Sequence, residues 1–382
     1  MATTERKVIM ARKYRIATLP GDGIGPDVLA EALRVLDALG FDAEFIHGDI
    51  GWKFWRTEGD PLPPRTIELL SKVNCALFGA ITSKPKDEAA AELDPALQNQ
   101  GFVYASPIVR LRQLLDLYSN LRPCKAFPGN PINLKEGVDL VIFRENTEDL
   151  YAGVEFFPIP EQVREALNDN HKKFGRFYEM NPDEVALSCR INTRKGCLRI
   201  CRDAFEYALE HGYPTVTVVE KPNVIRETSG LMVRIAREIA QEYPNIELWE
   251  TNIDAQCMWL VKNPSDYGVM VSSNMFGDIV SDLAAQLVGG LGFAASGNIG
   301  DEFAVFEPTH GSAPKHVGQN KVNPIAMIQA ARLMLDWLGE TKMAQRVHQA
   351  VGTVIREGKI RTYDIGGAHT MTQMTDAIIA AL

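Results

Sequence analysis

Short apolar runs alternate with stretches of helical length along the chain, and this alternation limits the architectures open to it more than any other feature. Tyr14-Arg15-Ile16-Ala17-Thr18-Leu19 reads as a strand and Pro20 to Gly25 as a turn. A helix is predicted from Pro26, because proline suits a first helical position and Val28, Leu29, Leu33, Leu36 and Leu39 recur at helical spacing. Further strands are predicted at 75–79, 140–143, 216–219 and 268–271, with helices over 196–210 and 229–241. This pattern implies an α/β architecture around a largely parallel sheet. At 382 residues the chain exceeds what a single core usually holds, and two domains are expected. The more polar stretch 156–183, punctuated by proline and asparagine, suits an excursion from the compact body or an ordinary surface loop and helix.

Asn274-Met275-Phe276-Gly277-Asp278-Ile279-Val280-Ser281-Asp282-Leu283 sets two carboxylates four residues apart. On a helix both acids share one face about a turn apart, close enough to hold one hard cation. Read alone, they are more simply a pair of acids favoured by the helix dipole. Arg112 and Arg122 bracket a second charged stretch, and Arg144 opens Arg144-Glu145-Asn146-Thr147-Glu148-Asp149-Leu150-Tyr151. Guanidinium forks bind carboxylates in bidentate fashion, so three converging arginines would suit a di- or tricarboxylate; singly, each reads as a surface ion pair.

Other classes find little support. The net charge of -9 opposes nonspecific nucleic-acid binding, and there is no long basic run. The start, Met1 to Lys7, is polar and lacks an apolar core for a signal peptide, and no segment reaches the roughly 18 apolar residues of a membrane span. A cytoplasmic protein with no membrane partner is expected. The six cysteines are scattered without paired CxxC spacing and read as reduced core thiols. Gly21-x-Gly23-x-Gly25 lacks GxGxxG spacing, which excludes a Rossmann fingerprint.

These residues together resemble the β-decarboxylating dehydrogenases, the family of isocitrate, homoisocitrate and 3-isopropylmalate dehydrogenases. The resemblance runs from Gly21-Asp22-Gly23-Ile24-Gly25-Pro26 to Asp364-Ile365-Gly366-Gly367, and the Asn274 to Gly292 stretch is similar to the family's signature segment. Lys221 in Val219-Glu220-Lys221-Pro222-Asn223-Val224 and His310 in Glu307-Pro308-Thr309-His310-Gly311-Ser312-Ala313-Pro314 fall in the family's order. The resemblance implies oxidation of a 2-hydroxy acid bearing a β-carboxylate, with loss of CO2 and reduction of NAD(P). It implies Asp254, Asp278 and Asp282 as ligands of Mg2+ or Mn2+, Lys221 as the group assisting removal of the hydroxyl proton, and Tyr151 as the acid that protonates carbon. In this family the equivalents of Lys221 and Asp254 enter from a neighbouring subunit, so a homodimer with shared sites is implied. Some relatives are regulatory subunits without turnover, but these typically lose members of a set that is complete here.

Substrate-binding positions implied are Ser106, Ile108, Arg112, Arg122 and Arg144. Ser106 matches the serine of isocitrate enzymes, whereas Ile108 stands where they usually carry asparagine. The order of expectation is isocitrate, then homoisocitrate, then 3-isopropylmalate. Cofactor positions implied are His310, Gly311, Ser312, Ala313, Lys315, His316, Asn323, Tyr363 and Asp364. Lys315 replaces the aspartate of NAD-specific relatives and Tyr363 matches the NADP pattern, while Gly367 stands where an arginine is expected, so the balance favours NADP. The fold implied is the isopropylmalate-dehydrogenase type, α/β with two domains sharing one long sheet. Residues 1–117 and 289–382 would form the cofactor-side domain and 118–288 the substrate, metal and dimerisation domain, with an arm near 152–190.

Overall fold

The computed structural model describes residues 13–382, so the polar start read above lies outside the described residues. The chain divides into two compact units. One comprises residues up to Val141 with Leu260–Asp266 and Ser281–Leu382, and the other Ile142–Trp259 with Tyr267–Val280.

The strands are β1 (Tyr14–Gly21), β2 (Ala43–His47), β3 (Cys75–Ala80), β4 (Ser119–Lys125), β5 (Asp139–Glu145), β6 (Glu155–Phe156), β7 (Leu187–Ser188), β8 (Thr215–Glu220), β9 (Glu247–Asn252), β10 (Val269–Ser272), β11 (Ala295–Ile299) and β12 (Ala304–Pro308). Apart from the pair β6 and β7, the strands form sheet within each unit. In the first unit the order is β2-β1-β3-β12-β11-β4. Here β1 runs parallel to β2 and β3, and β3 parallel to β12. In the second unit β10, β8 and β9 follow one another, all parallel. The five predicted strands correspond to β1, β3, β5, β8 and β10. The departure from a parallel sheet is β11, antiparallel to both β12 and β4. Residues 300–303 alone connect β11 to β12, with Gly300 N–H on the Phe303 carbonyl at 2.9 Å, and so short a link cannot carry a parallel crossover.

The glycine turn after β1 owes its composition to close backbone approach. Gly21 has φ +70°, and a Cβ there would lie 1.9 Å from the Ala80 carbonyl oxygen; at Gly23, φ +59°, it would lie 2.0 Å from that of Ser312. Both clashes are with backbone, so only glycine fits.

The first unit's core gathers Val28, Leu29, Ala32, Val35 and Leu36 of the helix Gly25–Ala38 against the nearly all-buried helix Ile325–Trp337. In the second, the helices Arg194–His211 and Thr228–Ala240 bury Ile200, Phe205, Ile235 and Ile239. Cys197 and Cys201 lie on that buried face, and none of the six cysteines is in a disulfide. Burial pushes the Cys197 thiol up to about 12, as expected of inert core thiols. Within 152–190, β6 and β7 pair antiparallel, Glu155 opposite Ser188 and Phe156 opposite Leu187, with the helix Glu161–Asn170 between them.

His348 gives the first unit a pH-dependent term. It packs 5.1 Å from the Phe127 ring, and burial, then the charges of Arg332 and Lys125, lower its pKa from 6.5 to about 4, against a smaller opposing effect of Asp139. The unfolded chain therefore binds this proton at higher pH than the folded one, so the contribution is fully present above pH 6.5 and is lost as pH falls toward 4. After discounting for its partial exposure, about 1 kcal/mol is at stake. Denaturant unfolding across this range should show His348→Leu less acid-sensitive than the wild type; parallel pH profiles would refute the assignment.

Candidate active site

In the second unit, Arg144 is the penultimate residue of β5, with its side chain 2% exposed. Its Nε donates to Asn274 Oδ1 at 2.9 Å and its Nη1 to Asp278 Oδ1. Asn274 and Asp278 lie one turn apart on the helix Asn274–Leu287, so one guanidinium reads one helix face. Gly277 permits this approach, since a Cβ there would lie 2.8 Å from the Arg144 Cβ. Tyr151, on the turn Leu150–Ala152, donates its hydroxyl to Asp278 Oδ2 at 2.7 Å and lies under the guanidinium, 5.0 Å from its ring centroid. Burial and the hydrogen bond to Asp278 raise the Tyr151 pKa, so its phenol stays protonated at neutral pH.

Lys221, at the end of β8, pairs through Nζ with Asp254 Oδ1 on the helix Ile253–Lys262. The Lys221 hydrogen bond holds the exposed Asp254 carboxyl below its usual range.

In the first unit the arginines join a buried amide chain. Arg122 Nε donates to Asn120 Oδ1 at 2.6 Å, Asn120 to Asn298 Oδ1 at 2.9 Å, and Asn298 to Glu307 Oε1 at 2.8 Å. Arg112 donates to the same Asn298 oxygen at 2.9 Å and to Glu307 Oε1 at 3.2 Å. Arg122 also reaches Ser281 Oγ at 2.8 Å and Asp282 Oδ1 at 3.1 Å. Both guanidinium groups are thus fixed in buried frames. Ser106 precedes the helix Pro107–Leu114 without capping it, whereas Ile108 is 8% exposed and packs into an apolar cluster with Leu19, Leu62 and Leu111.

The cofactor positions occupy the first unit as well. Ser312 Oγ lies 2.7 Å from Thr82 Oγ1, and its carbonyl accepts Ile24 N–H at 2.9 Å. Asp22 secures this turn by accepting Trp52 N–H at 2.6 Å and Thr82 N–H at 2.9 Å. Ala313 takes the left-handed φ of +39° ahead of Pro314–His316. Lys315 is exposed, and His316 packs 5.4 Å from the Tyr363 ring. Asn323 caps Ile325 N–H at 3.0 Å and donates to Asp364 Oδ2 at 2.9 Å.

For a nicotinamide cofactor the fit rests on polar atoms that the protein does not satisfy. His310 Nε2 and His316 Nδ1 are buried without partners, and burial lowers the His310 pKa, keeping it neutral. For a divalent cation, Asp278 and Asp282 offer hard oxygen donors on one helix, with side chains 30% and 60% exposed. Within the single chain Asp254 pairs with Lys221, and among the described residues no group of three His, Cys, Asp or Glu is placed to hold a metal ion.

Several participants carried no signal of their own. Asn120 and Glu307 sit inside stretches singled out for their neighbours, Asn298 lies on a glycine-containing strand, and Arg190, Asp149 and Glu220 follow no recognisable spacing. A groove of about 410 Å³ in the second unit, lined by Trp249, Trp259 and Tyr267, contains none of the predicted residues. Among the described residues no helix is long and apolar enough to cross a membrane.

Comparison with known proteins identifies the family. The isocitrate/isopropylmalate dehydrogenase family model matches residues 15–378, and the chain belongs to that family of dehydrogenases acting on CH–OH groups. It is 41% identical to protein DlpA of Legionella pneumophila over 96% of its own length, spanning 58% of DlpA. It is 40% identical to the isocitrate/homoisocitrate dehydrogenase of Thermus thermophilus, covering 97% of this chain and 98% of that protein. The 3-isopropylmalate dehydrogenase of Methanothermobacter thermautotrophicus is likewise 40% identical, over 93% of this chain and 94% of its own. The crystal structure of an isocitrate dehydrogenase from Methylococcus capsulatus superposes with a TM-score of 0.83 at 38% identity, covering 96% of this chain and 99% of that one. The recognised family and its long-sheet fold, distinct from a Rossmann domain, are thereby borne out.

Proposed function

We propose that the chain is a metal-dependent, NAD(P)-linked β-decarboxylating dehydrogenase whose first-choice substrate is isocitrate, followed by homoisocitrate and 3-isopropylmalate. The observation that carries this reading is the Arg144–Asp278–Tyr151 arrangement, in which a buried guanidinium and a protonated phenol meet a carboxylate on one helix face. When bound, Mg2+ or Mn2+ at Asp278 and Asp282 supplies Lewis-acid polarisation of the substrate hydroxyl, and the nicotinamide accepts the hydride. Arg112, Arg122 and Arg144 bind the substrate carboxylates in bidentate fashion. Lys221 assists removal of the hydroxyl proton, and Tyr151 Oη delivers a proton to carbon after CO2 has left. Ser106, whose side chain caps nothing, is free to meet the substrate's third group.

Lys221 and Asp254 pair with each other and carry the exposed apolar neighbours Val224 and Met258, 68% and 71% exposed. Together with Ile279 beside Asp278, 48% exposed, these surfaces suit a second copy of the chain, to whose site Lys221 and Asp254 would pass as a unit. Mixing Lys221→Met with Tyr151→Phe chains then restores about a quarter of wild-type activity, because half the dimers hold one intact site. Independent sites would give no recovery.

Lys315 is exposed, and Lys321 Nζ lies 5.4 Å from the Tyr363 ring centroid, which supports NADP over NAD. Lys315→Asp should shift the kcat/KM ratio toward NAD about tenfold, roughly one charge-assisted contact. An unmoved ratio would exclude Lys315 from the phosphate pocket.

The deciding test is a matrix of isocitrate, homoisocitrate, 3-isopropylmalate, tartrate and D-malate against both cofactors with Mg2+, following the reduced nicotinamide. A clearly higher kcat/KM for another acid displaces isocitrate. A regulatory subunit of Dictyostelium discoideum isocitrate dehydrogenase is 35% identical to this chain, and absence of turnover with all five acids would favour that kind of role.

A further inference from the structure

Arg190, on the segment following β7, is joined to residues that flank both proton-transfer groups. Its Nε donates to Asp149 Oδ1 at 2.6 Å, its Nη1 to Ser229 Oγ at 2.8 Å, and its Nη2 to Ser273 Oγ at 2.5 Å and Glu220 Oε2 at 3.2 Å. The two carboxylates are fully buried and the guanidinium nearly so. The partners extend the network. Asp149 Oδ2 accepts Met275 N–H at 2.9 Å, Glu220 Oε1 accepts Ser273 N–H at 2.9 Å, and Ser229 Oγ donates to Glu220 Oε2 at 2.5 Å while accepting Lys221 N–H at 3.3 Å. The Arg190 side chain also lies 4.8 Å over the Phe276 ring.

Asp149 immediately precedes the turn that carries Tyr151, Glu220 precedes Lys221, and Ser273 and Met275 flank the start of the helix that carries Asp278. Asp149 itself adopts φ +69°, ψ −147°, a conformation strained for a non-glycine residue and kept only where its surroundings enforce it. Both oxygens of its carboxylate are engaged, one by Arg190 and one by the helix start, so the strained residue is clamped between them.

We infer that Arg190 is a positioning residue that sets Tyr151, Lys221 and the Asp278 helix in mutual register through Asp149, Glu220 and Ser273. The inference rests on the roles proposed above for those three side chains. Lysine keeps the charge at this position, but a single ammonium cannot span four acceptors held by a planar fork.

Arg190→Lys tests this in the full-length protein through two readouts. Steady-state kinetics should show kcat lowered about 100-fold with KM changed less than about threefold, since displacement of a catalytic group by about 1 Å has that scale of effect. Hydrogen exchange should accelerate at least tenfold at the Ser273 and Met275 amides, with Val218 and Val271 in the core strands unchanged. Ile239→Ala, ten residues along the same helix from Ser229, serves as a control that lowers Tm but leaves kcat intact. If Arg190→Lys does not fold, Asp149→Asn carries the same two measurements. A kcat matching the control, or exchange that rises uniformly through the unit, overturns the inference. If the wild type turns over none of the acids, the proposed activity fails on its own, and exchange decides: selective loosening sustains the positioning role and uniform loosening ends it.

Discussion

Asp278→Asn is expected to lower kcat/KM by about three orders of magnitude and to raise the Mg2+ concentration needed for half-maximal rate. The expectation combines loss of a charged oxygen ligand with loss of Lewis-acid stabilisation, roughly 4 kcal/mol of barrier. Asparagine retains one oxygen to accept from Arg144, and its amide nitrogen can donate to the Tyr151 hydroxyl in place of the bond that Asp278 Oδ2 accepts; both contacts are local to this face. The fold should therefore survive, as far-UV circular dichroism would confirm. Titration of the variant with Mg2+ separates the two contributions, because a ligand defect recovers in part at high metal. Metal dependence equal to that of the wild type would remove Asp278 from the ligand set.

Tyr151→Phe should cost 10²–10⁴-fold in kcat, the usual range for a lost general acid, with little change in KM. The phenylalanine ring can keep the tyrosine's place 5.0 Å from the Arg144 guanidinium, so packing is retained and only the hydroxyl is removed. Pre-steady-state measurement sharpens this. Reduced nicotinamide should still form in a first turnover, because hydride transfer precedes protonation of carbon, while the steady-state rate collapses. Loss of the first turnover as well would place Tyr151 in substrate binding or in the oxidation step.

How much of this was legible in the sequence varies with the range of the interaction. β1, β3, β5, β8 and β10 each hold an apolar stretch buried in the sheet, and that composition states the burial directly. β11 escaped because Ala-Ser-Gly-Asn-Ile has weak strand propensity; pairing on both sides and burial of Asn298 in a polar network override it. β9 escaped because Glu-Leu-Trp-Glu-Thr-Asn is charged and only partly buried. In the candidate site, Asp278 and Asp282 were legible because four residues is the helical repeat. The arginines were visible as types but not as a frame, since Asn120, Asn298 and Glu307 come together from β4, β11 and β12. Arg190 was invisible for the same reason: its partners are spread between Asp149 and Ser273, and no local pattern encodes such contacts. Asp254 presents the opposite case. Its place in a metal site is implied by family resemblance, while the single chain pairs it with Lys221.

The central claim is that the Asp278 helix serves metal-dependent oxidative decarboxylation. It is tested most directly by measuring CO2 and reduced nicotinamide together from the preferred acid, with Mg2+ and then with EDTA in excess. Equal amounts of the two products with Mg2+, and neither with EDTA, are predicted. Reduced nicotinamide without matching CO2, or a rate indifferent to chelation, would contradict it.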